Sequence, residues 1–191
     1  MFIQTETTPN PDVMKFLPGQ PVMASGTRDY GHPAEAVASP LALALFSQPG
    51  VARVFLGADF VSVTKRPEVA WTAIRTLCLA AIMDHFMAGL PVVEDDTETG
   101  GGAADAVSYD DETQEIVDQI VDLIDTRVRP AVAGDGGDII FRRFVPETGL
   151  VQLTLRGACA GCPSSTATLK SGIETMLRTY VPEVRTVEAV G

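Results

Sequence analysis

Leu150-Val151-Gln152-Leu153-Thr154-Leu155-Arg156-Gly157-Ala158-Cys159-Ala160-Gly161-Cys162-Pro163 decides how the C-terminal half is read. Leu150 to Leu155 has the composition of a strand, and Gly157 ends it. Two cysteines follow at C-x-x-C spacing, with only Ala160 and Gly161 between them, so no bulk blocks the sulfurs and the backbone can turn tightly. Pro163 suits the first position of a helix, which puts Cys162 at or near the N-cap and Cys159 just before it. Unpaired helix N–H groups and the positive end of the helix dipole favour thiolate over thiol there.

Outward from this loop the pattern is α-β-β-α-β. Ile139 to Phe144 precedes as a strand, joined to the next through Pro146-Glu147-Thr148-Gly149, a hairpin signal. Before it lies the turn cluster Gly134-Asp135-Gly136-Gly137-Asp138, which matches neither the P-loop nor the EF-hand spacing and reads as a helix-to-strand turn. Ile116, Val117, Ile120, Val121, Ile124 and Val128 form the apolar stripe of a helix capped by Asp111 and stopped by Pro130. After the loop, Ile173, Met176, Leu177 and Tyr180 give a second helix its core face, and Val184 to Val190 adds a last strand.

The N-terminal half mixes strands and helices without a regular βαβ rhythm, so it reads as an α+β sandwich. Met1 to Glu6 and Val13 to Leu17 are strands about the turn Thr8-Pro9-Asn10-Pro11-Asp12. Ser39-Pro40 opens a helix closed by Pro49-Gly50. Val51 to Leu56 and Phe60 to Lys65 form a hairpin around Gly57-Ala58-Asp59. A long helix starts near Glu68, with Val69/Ala70, Ala73/Ile74, Leu77/Cys78 and Ala81/Ile82 marking its buried face. Cys78 lies in that stripe and reads as core.

Charge separates the halves. The formal net charge of the 191 residues is −11, yet Glu94 to Asp125 alone holds 12 acidic residues and no basic one. Within it, residues 94–108 have no hydrophobic period, repel themselves and include Gly100-Gly101-Gly102, the signature of a flexible acidic linker. The expected domains are therefore 1–93, 94–108 as linker, and 109–191. No basic stripe exists to release counterions from nucleic acid. No 18-residue uncharged run exists to span a membrane, since Arg75, Asp84 and His85 break the most apolar stretch. Three cysteines are too few, and odd in number, for a secreted disulfide framework. A soluble, intracellular protein is expected.

From spacing alone, Cys159 and Cys162 fit iron–sulfur ligation, an all-cysteine zinc site or a redox dithiol. The first two need four thiolates, which one chain does not supply and a symmetric dimer does. Asp84-His85 and His32 have no partner cluster, so no acid–base catalysis is assigned. Arg142-Arg143 reads as a solvent face or a receiver for an acidic partner.

Arg129-Pro130-Ala131, Asp135-Gly136-Gly137-Asp138-Ile139 and Gly157-Ala158-Cys159-Ala160-Gly161-Cys162-Pro163-Ser164-Ser165 resemble the C-terminal domain of NifU-like proteins. Met1-Phe2-Ile3-Gln4-Thr5-Glu6, Thr8-Pro9-Asn10-Pro11, Lys15-Phe16-Leu17-Pro18-Gly19, Ser39-Pro40-Leu41-Ala42 and Asp59-Phe60-Val61-Ser62-Val63-Thr64-Lys65 resemble the N-terminal domain of Nfu-type proteins. The resemblance covers nearly the whole chain outside the acidic segment, in the family's order. It implies an iron–sulfur cluster carrier, not an enzyme. Such a carrier holds a [4Fe–4S] cluster between two protomers on Cys159 and Cys162 of each. It receives that cluster from upstream assembly proteins and passes it to apo client proteins. The start of the chain lacks the look of a transit peptide, so a bacterial cytoplasmic protein is expected, with the mitochondrial matrix reserved for a processed form. A thiol–disulfide oxidoreductase and a zinc-bridged dimer are the rival readings.

Overall fold

A computed structural model describes residues 2–94, 109–160 and 163–190, with backbone alone at 163–165. The chain divides into two compact units, residues 1–101 and 102–191. Residues 95–108 of the expected linker, and Cys162, lie outside the described residues. Both units are α+β, as expected.

The first unit is a five-stranded antiparallel sheet in the order β1-β2-β5-β4-β3, from β1 (Gln4–Thr7), β2 (Val13–Leu17), β3 (Arg28–Tyr30), β4 (Val51–Leu56) and β5 (Val61–Lys65). Period-two alternation puts Met14, Phe16, Val54, Leu56, Val61 and Val63 into one core, with the buried residues of α1 (Pro40–Phe46) and α2 (Trp71–Met87). Ser39 caps α1 as expected, its hydroxyl accepting the Ala42 N–H at 3.2 Å. The same hydroxyl donates to the Val92 carbonyl at 2.6 Å, and the Glu94 N–H donates to the Ala38 carbonyl at 2.7 Å, so residues 92–94 are stitched to the start of α1.

Two expectations for α2 need correction. It begins at Trp71 and not near Glu68, because Pro67 to Val69 form a turn closed by the Val69 N–H on the Arg66 carbonyl at 3.0 Å. Its buried face is also narrower than the paired stripe: Ile74, Cys78, Ile82 and His85 are buried, whereas Ala73 and Leu77 are exposed. Trp71, Leu79, Ala81 and Phe86 flank this row and are partly buried against the same core. β3 and the short 3-10 turn Pro33–Ala36 carry no apolar periodicity and were not foreseen from the sequence. The strand is held from outside its own pattern, by Arg53 on β4 paired with Asp29 through two hydrogen bonds of 2.6 and 2.9 Å.

The second unit keeps the expected α-β-β-α-β order: α3 (Asp111–Leu123) and α4 (Arg129–Gly134), the hairpin β6 (Gly137–Val145) and β7 (Leu150–Gly157), α5 (Pro163–Tyr180), and β8 (Thr186–Ala189). β8 pairs parallel to β7, with α5 as the crossover that parallel pairing requires. The cap is Asp110, not Asp111, its carboxylate accepting the Thr113 N–H at 2.8 Å. Pro130 does not stop the helix. The chain widens into a π-type turn at Ile124–Val128 and continues helically into α4, with Pro130 as its second residue. Val117, Ile120, Ile124, Ile139, Phe141, Leu153, Leu177 and Val187 fill the core. Among the described residues, no helix is long and apolar enough to cross a membrane.

Candidate metal-binding loop

The loop that carries Cys159 is held by backbone at several points. β7 ends on Gly157 at φ +64°, a conformation that glycine adopts without steric cost, and the chain turns there. The Ala160 N–H donates to the Gly157 carbonyl at 3.1 Å and closes the turn. The Ala158 N–H donates to the Gly136 carbonyl at 3.2 Å, tying the loop to the start of β6. On the other side the Thr166 hydroxyl, in the first turns of α5, donates to the Cys159 carbonyl at 3.2 Å. α5 begins at Pro163, the position that the sequence suggests.

The start of β6 is itself strapped down. Asp138 is buried, and one oxygen of its carboxylate accepts both the Ile139 N–H at 2.7 Å and the Arg129 Nε–H at 3.0 Å. Arg129 also donates from Nη2 to the Ile139 carbonyl at 3.0 Å and pairs with Asp125 at 2.8 Å. One guanidinium thus joins α4, the preceding π turn and the first strand of the hairpin. Sequence reading had taken 134–138 as a plain turn and missed this strap, because Arg129 and Asp138 lie nine positions apart with no periodicity linking them. The one signal was a charged residue opening an otherwise apolar strand.

Cys159 is a free thiol and buried, 7% exposed. Its thiol is pushed up to about 11, first by burial, then by the nearby Asp135 and Asp138 carboxylates. Loss of solvent and two like charges thus act on Cys159 in the direction opposite to the helix N-terminus that the sequence suggests. Cys78 is core, as read, fully buried, with its thiol also pushed up to about 11 by burial alone. Among the described residues, no three His, Cys, Asp or Glu side chains converge to hold a metal ion. His85, left without a role by the sequence, is buried, and its Nε2 has no hydrogen-bond partner among the described residues. At Arg142-Arg143 a β-bulge interrupts the β6–β7 register, Arg142 Nε–H reaches Thr154 Oγ1 at 2.9 Å, and Arg143 is exposed.

Comparison with known proteins covers both units. Residues 3–89 match the family model described as scaffold protein Nfu/NifU N terminal, and residues 120–188 match the NifU-like domain. NifU-like protein 4, mitochondrial, of Arabidopsis thaliana is 49% identical over 98% of this chain and 65% of its own length. The human NFU1 iron-sulfur cluster scaffold homolog, mitochondrial, is 48% identical over the whole chain and 72% of its own length. A solved NifU-like protein from Saccharomyces cerevisiae is 27% identical, covering 50% of this chain and 86% of that one, with a TM-score of 0.45. The chain thus spans about two thirds of the length of these two relatives. The expected bacterial cytoplasmic location does not survive: the relatives matched at nearly full coverage of this chain are named mitochondrial and come from a plant and from human. That expectation had rested on the first residues of a chain shorter than its relatives, which carry no information about location.

Proposed function

Because this chain belongs to the Nfu/NifU-like family of iron–sulfur cluster scaffold proteins, we propose that it carries a [4Fe–4S] cluster as cargo, held between two copies by Cys159 and Cys162 of each, and passes it to apo client proteins. The observation that carries the reading is the setting of Cys159. It stands in a strand-to-helix turn at C-x-x-C spacing, with its own carbonyl held by Thr166 and the preceding Ala158 N–H held by the Gly136 carbonyl. C-x-x-C spacing gives two thiolates per chain, and a four-thiolate site completed by a second copy opens when the copies part.

The chain's own residues supply the rest. Binding iron requires the thiols to lose their protons, so loading displaces the Cys159 proton that burial retains in the free chain. With two ligands per copy, an incoming client thiolate replaces one bond at a time, as thiolates exchange at disulfides. From Thr126 to Gly191 eight basic residues face six acidic ones, which offsets part of the negative charge of a thiolate-bound cluster. The role proposed is that of a carrier and not an enzyme, in keeping with the scaffold family to which the chain belongs. Its partners are assembly proteins upstream and apo proteins downstream.

Anaerobic reconstitution with iron and sulfide tests the reading, followed by visible absorption, metal analysis and solution mass. The expected result is a brown dimer with about four irons and four sulfides per pair, lost in Cys159→Ser and in Cys162→Ser. A colourless protein that cycles a Cys159–Cys162 disulfide would instead make it an oxidoreductase. A colourless dimer binding one zinc through the same residues would make the bridge structural.

A further inference from the structure

Three glycines surround the Cys159 loop, and they are there for two different reasons. Gly136 and Gly157 have φ of +83° and +64°, so their backbone demands glycine. Gly137 lies between them in space, paired with Gly157 across the β6–β7 ladder, and has no such φ. Its backbone conformation would accept any residue. Space is what excludes a side chain: a Cβ at Gly137 would lie 2.6 Å from the Arg156 carbonyl oxygen, 2.9 Å from the Cys159 sulfur and 3.2 Å from the Cys159 nitrogen. Real Cβ atoms essentially never come as near as the first two distances, the third is itself tight, and two of the three atoms are backbone that cannot swing aside. By contrast Gly134, three residues earlier, has nothing within 4 Å of such a Cβ.

We propose that Gly137 is a positioning residue for the cluster: its bare α-carbon is the floor on which the Cys159 sulfur rests, and it sets where that ligand stands before iron arrives. The proposal rests on the reading of Cys159 as a cluster ligand. The surroundings fit a fixed floor and not a compliant one. The residue after it, Asp138, is anchored by Arg129 and by its own bond to the Ile139 N–H. The residue before it accepts the Ala158 N–H. The floor therefore cannot retreat when a methyl group is added, and the Cys159 sulfur has to move together with the Arg156–Cys159 backbone that the methyl also meets. Thr166 holds the Cys159 carbonyl, so the displacement falls on the side chain and the turn.

The test compares Gly137→Ala with Gly134→Ala in the full chain. In the apo protein, alkylation of Cys159 by N-ethylmaleimide, quantified on its own peptide, should quicken about tenfold in Gly137→Ala, because reactivity follows exposure. It should stay at the wild-type rate in Gly134→Ala. After reconstitution, Gly137→Ala should retain less than about a third of the wild-type iron and sulfide, in line with the losses seen when groups that orient a ligand are changed. Equal labelling and equal iron content would overturn the proposal. If the wild type takes up no cluster, the carrier reading fails, while the labelling still judges the floor. If Gly137→Ala does not fold, Gly137→Ala with Cys159→Ala decides. Recovery of a cooperative melt shows that the sulfur was the obstacle; continued unfolding assigns the constraint to the Arg156 carbonyl alone and overturns the proposal.

Discussion

Cys78 and Cys159 look alike by the usual measures and differ in what holds them. Both are buried free thiols, and both are pushed up to about 11. Cys78 is raised by burial alone, in mid-helix, with Ile74 and Ile82 one turn to either side on the same face of α2. Its sulfur reaches solvent only if helix hydrogen bonds break. Cys159 is raised by burial and by two carboxylates, and it stands in a turn whose backbone is fixed by neighbours and not by a helical ladder. A turn can re-aim a side chain by changing a few dihedrals. Burial and proton affinity therefore do not separate a core cysteine from a ligand; the backbone around it does.

The largest expected effect breaks the likeness outright. Cys159→Ala abolishes cluster uptake, whereas Cys78→Ala keeps the full iron and sulfide content and lowers the stability of the first unit by about 1–2 kcal/mol, through the small cavity it leaves. Metal analysis reads the first effect. Trp71, the single tryptophan and part of the first unit, reads the second by fluorescence on denaturation. Equal loss of iron in both variants would place Cys78 in the loading path and end the distinction.

A smaller effect sharpens what fixes the Cys159 turn. Asp138→Ala leaves the Ile139 N–H without its acceptor and Arg129 without its buried partner, at a cost of about 2–3 kcal/mol to the second unit. Asp138→Asn keeps an acceptor oxygen and should lose roughly half as much. Amide hydrogen exchange along β6 measures both. If the alanine variant exchanges no faster than the wild type, the strap is ornamental and the turn is held by the glycines alone.

The sequence exposed those parts of this molecule that repeat or carry a cap. Turn signals bracketed β2, β4 and β5, and the Ser39-Pro40 pair gave the start of α1, because each signal is local. The motif itself led to Cys159, and the pattern around it put a strand before and a helix after. What stayed hidden depends on partners far along the chain. β3 is held by Asp29 with Arg53, the start of β6 by Asp138 with Arg129, and the close approach of Gly137 to Cys159 joins positions 22 apart. What raises the Cys159 proton affinity was hidden for the same reason. The helix that follows can be read from sequence, while the burial and the carboxylates that oppose it come from tertiary packing.

His85 extends the comparison to a group that titrates nearer neutrality. It shares the buried row of α2 with Cys78, and burial acts on both by disfavouring the charged form, with opposite consequences for pH. Cys78 is neutral at pH 7 in the folded and unfolded chain alike, so its burial leaves no pH dependence there. His85 is held below its ordinary 6.5 by burial, partly countered by its hydrogen bond to the Leu90 backbone. Among the described residues its Nε2 meets no hydrogen-bond partner, so a second ring proton would find no acceptor there. Below pH 6.5 the unfolded chain takes up a proton that the folded chain resists. The contribution is therefore fully present above 6.5 and is lost as pH falls through the lowered folded value. The slope cannot exceed about 1.4 kcal/mol per pH unit for one proton. Denaturation of the full chain between pH 7.5 and 5, followed at Trp71, should show the first unit weakening on acidification, and His85→Gln should flatten that slope while Cys78→Ala leaves it in place. An unchanged slope in His85→Gln would assign the acid sensitivity to other groups, and burial on α2 would then be silent toward pH at both positions.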